Sequence, residues 1–285
     1  MTILKINQTA KDGMVIRAKF TKDETQSVKG VVIIVHGFGE HIGGYRELAS
    51  VLAKVGYANI VFDQRGHGNL RVYGKQEKFQ GIIPCYQTLL DDIEIMREEA
   101  QRLAPDVPIS LYGHSMGGNI ILNYLLKYGQ SEFSSVILES PWLGLYKELC
   151  PVLECVAKVL GAISPKIATY NKLDPEEITG DISKNDEYDK DPFYHNRISM
   201  RLFAGVKKGC THALKNASKI TIPIFMASGQ HDKIVSNEAI AEYVKNSGGN
   251  VTAKEYDAYH AIRKGSTRDE FLNDMINYLD GFTHK

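Results

Sequence analysis

The chain has 285 residues, with 34 Lys+Arg balanced by 34 Asp+Glu, so its formal net charge is zero. No basic surface is advertised, which argues against nucleic acid as a partner. An apolar fraction of 43% and a charged fraction of 24% fit a globular chain long enough for one large α/β domain or two small ones.

In chain order, the N-terminal residues 1–20 are interrupted by Lys5, Asn7, Lys11, Asp12 and Arg17 and hold no apolar run of signal-peptide length. Residues 15–20, reached through Asp12-Gly13, predict a strand. Residues 30–35 (Gly-Val-Val-Ile-Ile-Val) are apolar without alternation, the mark of a strand buried on both faces. A helix is expected over 45–55, with Leu48, Val51, Leu52 and Val55 on one side and Gly56 as its stop. A second buried strand follows at 57–62. Residues 87–103 predict a long amphipathic helix with the stripe Leu89/Leu90, Ile93, Met96, Ala100 and Leu103. Then come a strand at 107–112, a helix at 119–128 and a strand at 135–138. Near the end, strands are expected at 222–227 and 251–256, with helices at 237–246 and 267–279.

This alternation describes an α/β fold, a mostly parallel sheet covered on both faces, with its site at the carboxyl ends of the strands. Residues 141–219 break the rhythm. They hold a helical stripe (Leu149, Val152/Leu153, Val156, Val159/Leu160, Ile163), a polar tract over 181–191 and an apolar stretch around 198–206. The expected organisation is a core of 1–140 and 220–285 with a mainly helical cap, 141–219, inserted into it. The stripe could line a tunnel, touch a membrane transiently, or simply pack onto the domain. Nothing approaches membrane-spanning length, and the four cysteines (Cys85, Cys150, Cys155, Cys210) lack CxxC spacing. Free thiols in the cytoplasm are therefore expected.

Gly113-His114-Ser115-Met116-Gly117 is a G-x-S-x-G match lying between a predicted strand and a predicted helix, the context this motif needs. A serine on such a sharp turn projects above the sheet, and glycines two positions either side remove the collisions. A serine hydroxyl needs a base, and in this fold the order is Ser, then acid, then His. His260, just past the last strand, is the candidate base. His114 should point away, His195 and His212 fall in the expected cap, and His284 lies in the tail. Asp232, closing the turn Ser228-Gly229-Gln230-His231-Asp232, is the candidate acid, with Asp257 as competitor. Backbone N–H groups of Met116 and Phe38 are the candidate oxyanion donors, Phe38 lying in the loop His36-Gly37-Phe38-Gly39-Glu40-His41. That glycine-rich loop lacks the lysine and spacing of a phosphate-binding loop. No residues have metal-ligand spacing, and this chemistry needs no metal or cofactor.

Together with Phe62-Asp63-Gln64-Arg65-Gly66-His67-Gly68, Asp191-Pro192-Phe193 and Tyr259-His260, these motifs resemble the monoacylglycerol lipase/lysophospholipase branch of the α/β-hydrolases. The resemblance covers nearly the whole chain. It implies an α/β-hydrolase fold and an ester hydrolase, cytosolic or membrane-peripheral, with a mobile cap over an acyl tunnel. Its substrates would be monoacylglycerols or lysophospholipids, with short-chain or aromatic esters as the alternative. The family often carries an Arg where this chain has Gly43-Gly44, and a second His where Arg263 stands. A non-catalytic ligand-binding protein on the same fold is the reading from another class, and an intact set of candidate residues weighs against it.

Overall fold

The computed structural model describes residues 1–70, 77–171, 174–181 and 190–283. Residues 182–189 of the polar tract over 181–191, and His284, lie outside them.

Eight strands form one sheet: β1 (Thr2–Thr9), β2 (Val15–Lys22), β3 (Gly30–Val35), β4 (Tyr57–Phe62), β5 (Ile109–His114), β6 (Ser135–Glu139), β9 (Ile224–Gly229) and β10 (Val251–Tyr256). Their spatial order is β1-β2-β4-β3-β5-β6-β9-β10. β2 runs antiparallel to both neighbours, and the remaining pairs are parallel. The unbroken apolar run of β3 is explained by its place. Val31, Ile33 and Val35 enter one core and Val32 and Ile34 the other, because successive side chains alternate across the sheet. Helices α2 (Gln87–Leu103), α3 (Met116–Tyr128), α6 (Met200–Lys215) and α7 (Asn237–Asn246) cover the first face. Helices α1 (Arg46–Lys54) and α8 (Arg268–Asp280) cover the second. The chain therefore has the α/β-hydrolase architecture expected from its sequence.

Two strands lie two residues later than expected: β5 starts at Ile109 rather than 107, and β9 at Ile224 rather than 222. Each begins just after a proline, Pro108 and Pro223, which lacks the N–H a ladder requires. β1 has no counterpart among the strands expected from the sequence. It is an edge strand whose side chains are mostly exposed, Ile6 being its buried exception, so no apolar pattern marks it.

Within 141–219, α4 (Pro151–Ile163) coincides with the predicted stripe, but the stripe faces outward. Val152 and Ile163 are 70% and 71% exposed, and Leu149, Leu153, Val156 and Val159 are exposed as well. Leu160 of the stripe is partly buried, and Ala157 and Gly161 make the inward face of the helix, Gly161 lying against Met200 and Arg201. Two three-residue strands, β7 (Ala168–Tyr170) and β8 (Arg197–Ser199), pair antiparallel, with a short helix α5 (Pro175–Thr179) between them. α6 buries Leu202, Val206, Cys210 and Ala213 in the first core. Asn119 on α3 fastens the ends of this region: its amide donates to the carbonyls of Trp142 (2.9 Å) and Val206 (3.3 Å) and accepts from the Tyr86 hydroxyl (2.6 Å). Asn123 donates to Gly209 O at 3.1 Å. Cys85, Cys150 and Cys155 are exposed free thiols and Cys210 is a buried one.

Candidate active site

Ser115 sits between β5 and α3 with φ 51° and ψ −115°, a conformation that non-glycine residues rarely adopt. Its N–H donates to Glu139 O (2.9 Å) and its carbonyl accepts from Trp142 N–H (2.9 Å), so β6 and the chain beyond it hold the turn. The turn leaves no room at Gly117, where a Cβ would stand 2.0 Å from Val35 O. α3 begins at Met116, so the unpaired N–H groups of its first turn gather beside Ser115.

Ser115 opens into a cavity of about 380 Å³ that Phe38, Trp142, Leu145, Ile234 and His260 also line. His260 follows β10. Its Nδ1 lies 2.7 Å from Oδ2 of Asp232, which follows β9, and both side chains are buried. The other oxygen of Asp232 accepts from the N–H groups of Ile234 (2.8 Å) and Val235 (3.0 Å). Burial disfavours a charged imidazole, but the Asp232 carboxylate, with Glu139 and Glu40 behind it, outweighs this and raises the His260 pKa above the ordinary value. Burial likewise opposes ionisation of Asp232, yet its contact with His260 and its two backbone donors keep the carboxyl below the usual range. The competing acid, Asp257, is paired with His231 at the surface (2.7 Å).

The loop after β3 brings Phe38 to the cavity wall and is braced internally. Gly37 N–H donates to Glu40 Oε2 at 2.7 Å, and Nδ1 of His114 lies 3.0 Å from the same oxygen. His114 is thus turned toward Glu40, although its ring also packs against His260, centroids 4.9 Å apart. His36 accepts from Gln64 N–H through Nε2 (2.9 Å), leaving Nδ1 to donate to Gly37 O (2.8 Å). Burial pushes its pKa down to about 3, so it braces the loop as a neutral ring.

The contacts of three further residues at the site were not legible in the sequence. Arg263 is buried between Glu40 and Glu139. His195, assigned to the expected cap, lines the cavity and packs edge-on against Phe38, centroids 5.6 Å apart. Its N–H donates to Gly39 O at 3.1 Å, and a Cβ on Gly39 (φ +74°) would meet His195 O at 2.1 Å. Asp191 lies 2.9 Å from His41 Nε2, so the Asp-Pro-Phe motif braces this same loop. Among the described residues, no three His, Cys, Asp or Glu side chains gather as metal ligands.

Residues 26–264 match the family model described as serine aminopeptidase, S33. The chain belongs to that family. It is 30% identical over 259 residues to a monoacylglycerol lipase of Mycolicibacterium smegmatis, covering 88% of each chain. Over 260 residues it is 28% identical to an abhydrolase domain-containing protein of Dictyostelium discoideum, and spans 27% of that longer protein's length. A soluble variant of monoglyceride lipase from Saccharomyces cerevisiae, solved with a substrate analogue, superposes with a TM-score of 0.87 at 25% identity, covering 98% of this chain and 96% of that one. The protein is a monoglyceride-lipase-like α/β-hydrolase, one of the carboxylic ester hydrolases.

Proposed function

We propose that the protein hydrolyses fatty-acyl esters of the monoacylglycerol or lysophospholipid class through an acyl-enzyme on Ser115. The observation that carries this reading is that His260, paired with the buried Asp232, lines the same cavity as the strained Ser115. Ser115 Oγ attacks the ester carbonyl while His260 Nε2 takes its proton, and Asp232 holds the Nδ1 proton and the charge that develops on the ring. Backbone N–H groups of Phe38 and Met116 receive the oxyanion. Collapse breaks the ester bond, and the alcohol leaves with the proton from His260. Water, deprotonated by His260, then attacks the acyl-enzyme and releases the acid. Residues 141–219 serve as the cap over this cavity, and the outward apolar face of α4 meets the lipid surface that holds the substrate.

One observation favours a second reading, a compact esterase for short-chain or aromatic acids. Gln80, Asn171, His195 and Asn196 give part of the cavity wall a polar character. The discriminating experiment measures kcat/KM over saturated monoacylglycerols of rising chain length beside aryl esters of the same acids. Each methylene buried in the transition state contributes about 0.8 kcal/mol, roughly fourfold in kcat/KM. A steep rise through medium chains supports the lipid reading, whereas a maximum at the shortest acids with poor glycerol esters defeats it. Fluorophosphonate labelling of Ser115 tests activation of the serine itself, and failure to label refutes catalysis by this residue.

A further inference from the structure

Three residues beyond His260, the Arg263 guanidinium is buried with a carboxylate on each side. Nη2 is bonded to Glu40 Oε1 (2.5 Å) and Nη1 to Glu139 Oε2 (2.9 Å), while the Arg263 N–H donates to Glu139 Oε1 (2.8 Å). These carboxylates have different addresses. Glu139 ends β6, whose main-chain carbonyl also holds Ser115 N–H. Glu40 belongs to the loop after β3, and its other oxygen receives Gly37 N–H, one residue before Phe38.

We propose that Arg263 is a positioning residue that locks the His260 loop to the Phe38 loop, so that base and oxyanion donor keep one fixed separation. The inference rests on the roles given above to Ser115, His260 and Phe38. A guanidinium suits the task because its planar fork donates to two acceptors at once, which an ammonium point charge cannot do with the same rigidity. A buried ion pair is weak support for net stability, since desolvation offsets much of the attraction. Its value here is geometric. Proton transfer and oxyanion stabilisation depend on placements of a fraction of an ångström, and both donor and base sit on loops.

The groups facing the fork come from four elements. Besides Glu40 and Glu139 there are Tyr45, whose ring lies 4.4 Å from the guanidinium, and Tyr112 and His114 of β5. Burial and the nearby cation lower the His114 pKa, and burial raises those of both tyrosines, which leaves all three neutral. Lys264 acts on Glu40 from the next position in the chain. Glu139 and Glu40, with the Arg263 cation between them, both act on His260 in the sense that favours its protonated form.

The test compares Arg263→Lys and Arg263→Met with the parent on a soluble aryl ester, counting active sites by fluorophosphonate titration and folding by circular dichroism. Arg263→Lys keeps the charge and loses the fork; kcat per titrated site is expected to fall about 30-fold or more with KM held within about threefold. Arg263→Met leaves two carboxylates without their cation, which favours protonated His260. The acid limb of kcat/KM should then move up by about half a pH unit or more. A folded Arg263→Lys enzyme within about threefold of the parent kcat overturns the proposal, as does an unmoved acid limb in folded Arg263→Met. Should only Arg263→Met fail to fold, the kcat–KM split of Arg263→Lys decides. If neither folds, the residue is structural and the proposal falls. Failure of the catalytic reading is separate, since a parent enzyme unlabelled at Ser115 gives no titre at all.

Discussion

Replacing Asp232 with Asn tests the catalytic reading most directly, because the hydrogen bonds around this carboxylate dictate how the amide must sit. Oδ1 accepts from two backbone donors, Ile234 N–H and Val235 N–H, and Oδ2 faces His260 Nδ1. In Asp232→Asn the amide oxygen must keep the two backbone donors, which turns its NH₂ toward the imidazole. His260 Nδ1 then becomes the acceptor, so the ring proton moves to Nε2, the nitrogen that has to receive the Ser115 proton. The wrong tautomer is favoured while the fold keeps its hydrogen bonds. By analogy with the same change in the chymotrypsin triad, the loss in kcat should be about 10⁴-fold, or about 5.5 kcal/mol. Asp232→Ala, by contrast, strands both backbone donors and should destabilise the fold by about 1–3 kcal/mol. The assay is kcat on an aryl ester across pH, with thermal unfolding in parallel. Removing the carboxylate also withdraws the main influence raising the His260 pKa, so the acid limb of the residual activity should lie at lower pH. An Asp232→Asn enzyme within about tenfold of the parent kcat at neutral pH would refute the assignment.

Other consequences can be checked with simpler measurements. Ser115→Ala should abolish turnover, by about 10⁵-fold or more, and remain folded. Because φ is 51° at this position, Ser115→Gly should be more stable than Ser115→Ala by about 1 kcal/mol in denaturant titrations; equal stabilities would remove the claim of strain. In Gly39→Ala the new methyl meets the His195 carbonyl in a left-handed backbone, which should cost at least about 2 kcal/mol and lower Tm by at least about 4 °C. An unchanged Tm would mean that the 191–196 segment does not press on the loop. The double variant Val152→Ser, Ile163→Ser should weaken vesicle binding about 30-fold or more, if each side chain contributes about 1 kcal/mol, while sparing soluble esters. Equal sedimentation with vesicles would exclude α4 as the contact.

What the sequence disclosed follows from how far each signal reaches along the chain. The β3 to β6 strands are buried on both faces, so their apolar runs are visible within six residues. G-x-S-x-G is equally local, since both glycines answer to collisions at one turn. β1 shows nothing of this kind, because among the described residues it pairs with β2 alone and most of its side chains face solvent. α4 was readable as a helix but not as an outward-facing one; periodicity finds an apolar stripe and leaves open what covers it. Arg263 was hidden for another reason. Its partners stand 124 and 223 positions away in sequence, and a buried ion triplet leaves no periodic trace. His195 belongs with it, placed against Phe38 from 157 positions further along the chain.

The two asparagines of α3 carry a consequence for how this fold diversifies. The segment between Trp142 and Val206 leaves and re-enters the core at carbonyls that Asn119 grips directly, and Asn123 repeats the grip one turn later at Gly209. Both ends are therefore moored to the helix that starts beside Ser115, independently of what lies between them. Such a segment can change in sequence without disturbing its anchorage. Substitutions between these two moorings should therefore leave the turn bearing Ser115 in its shape.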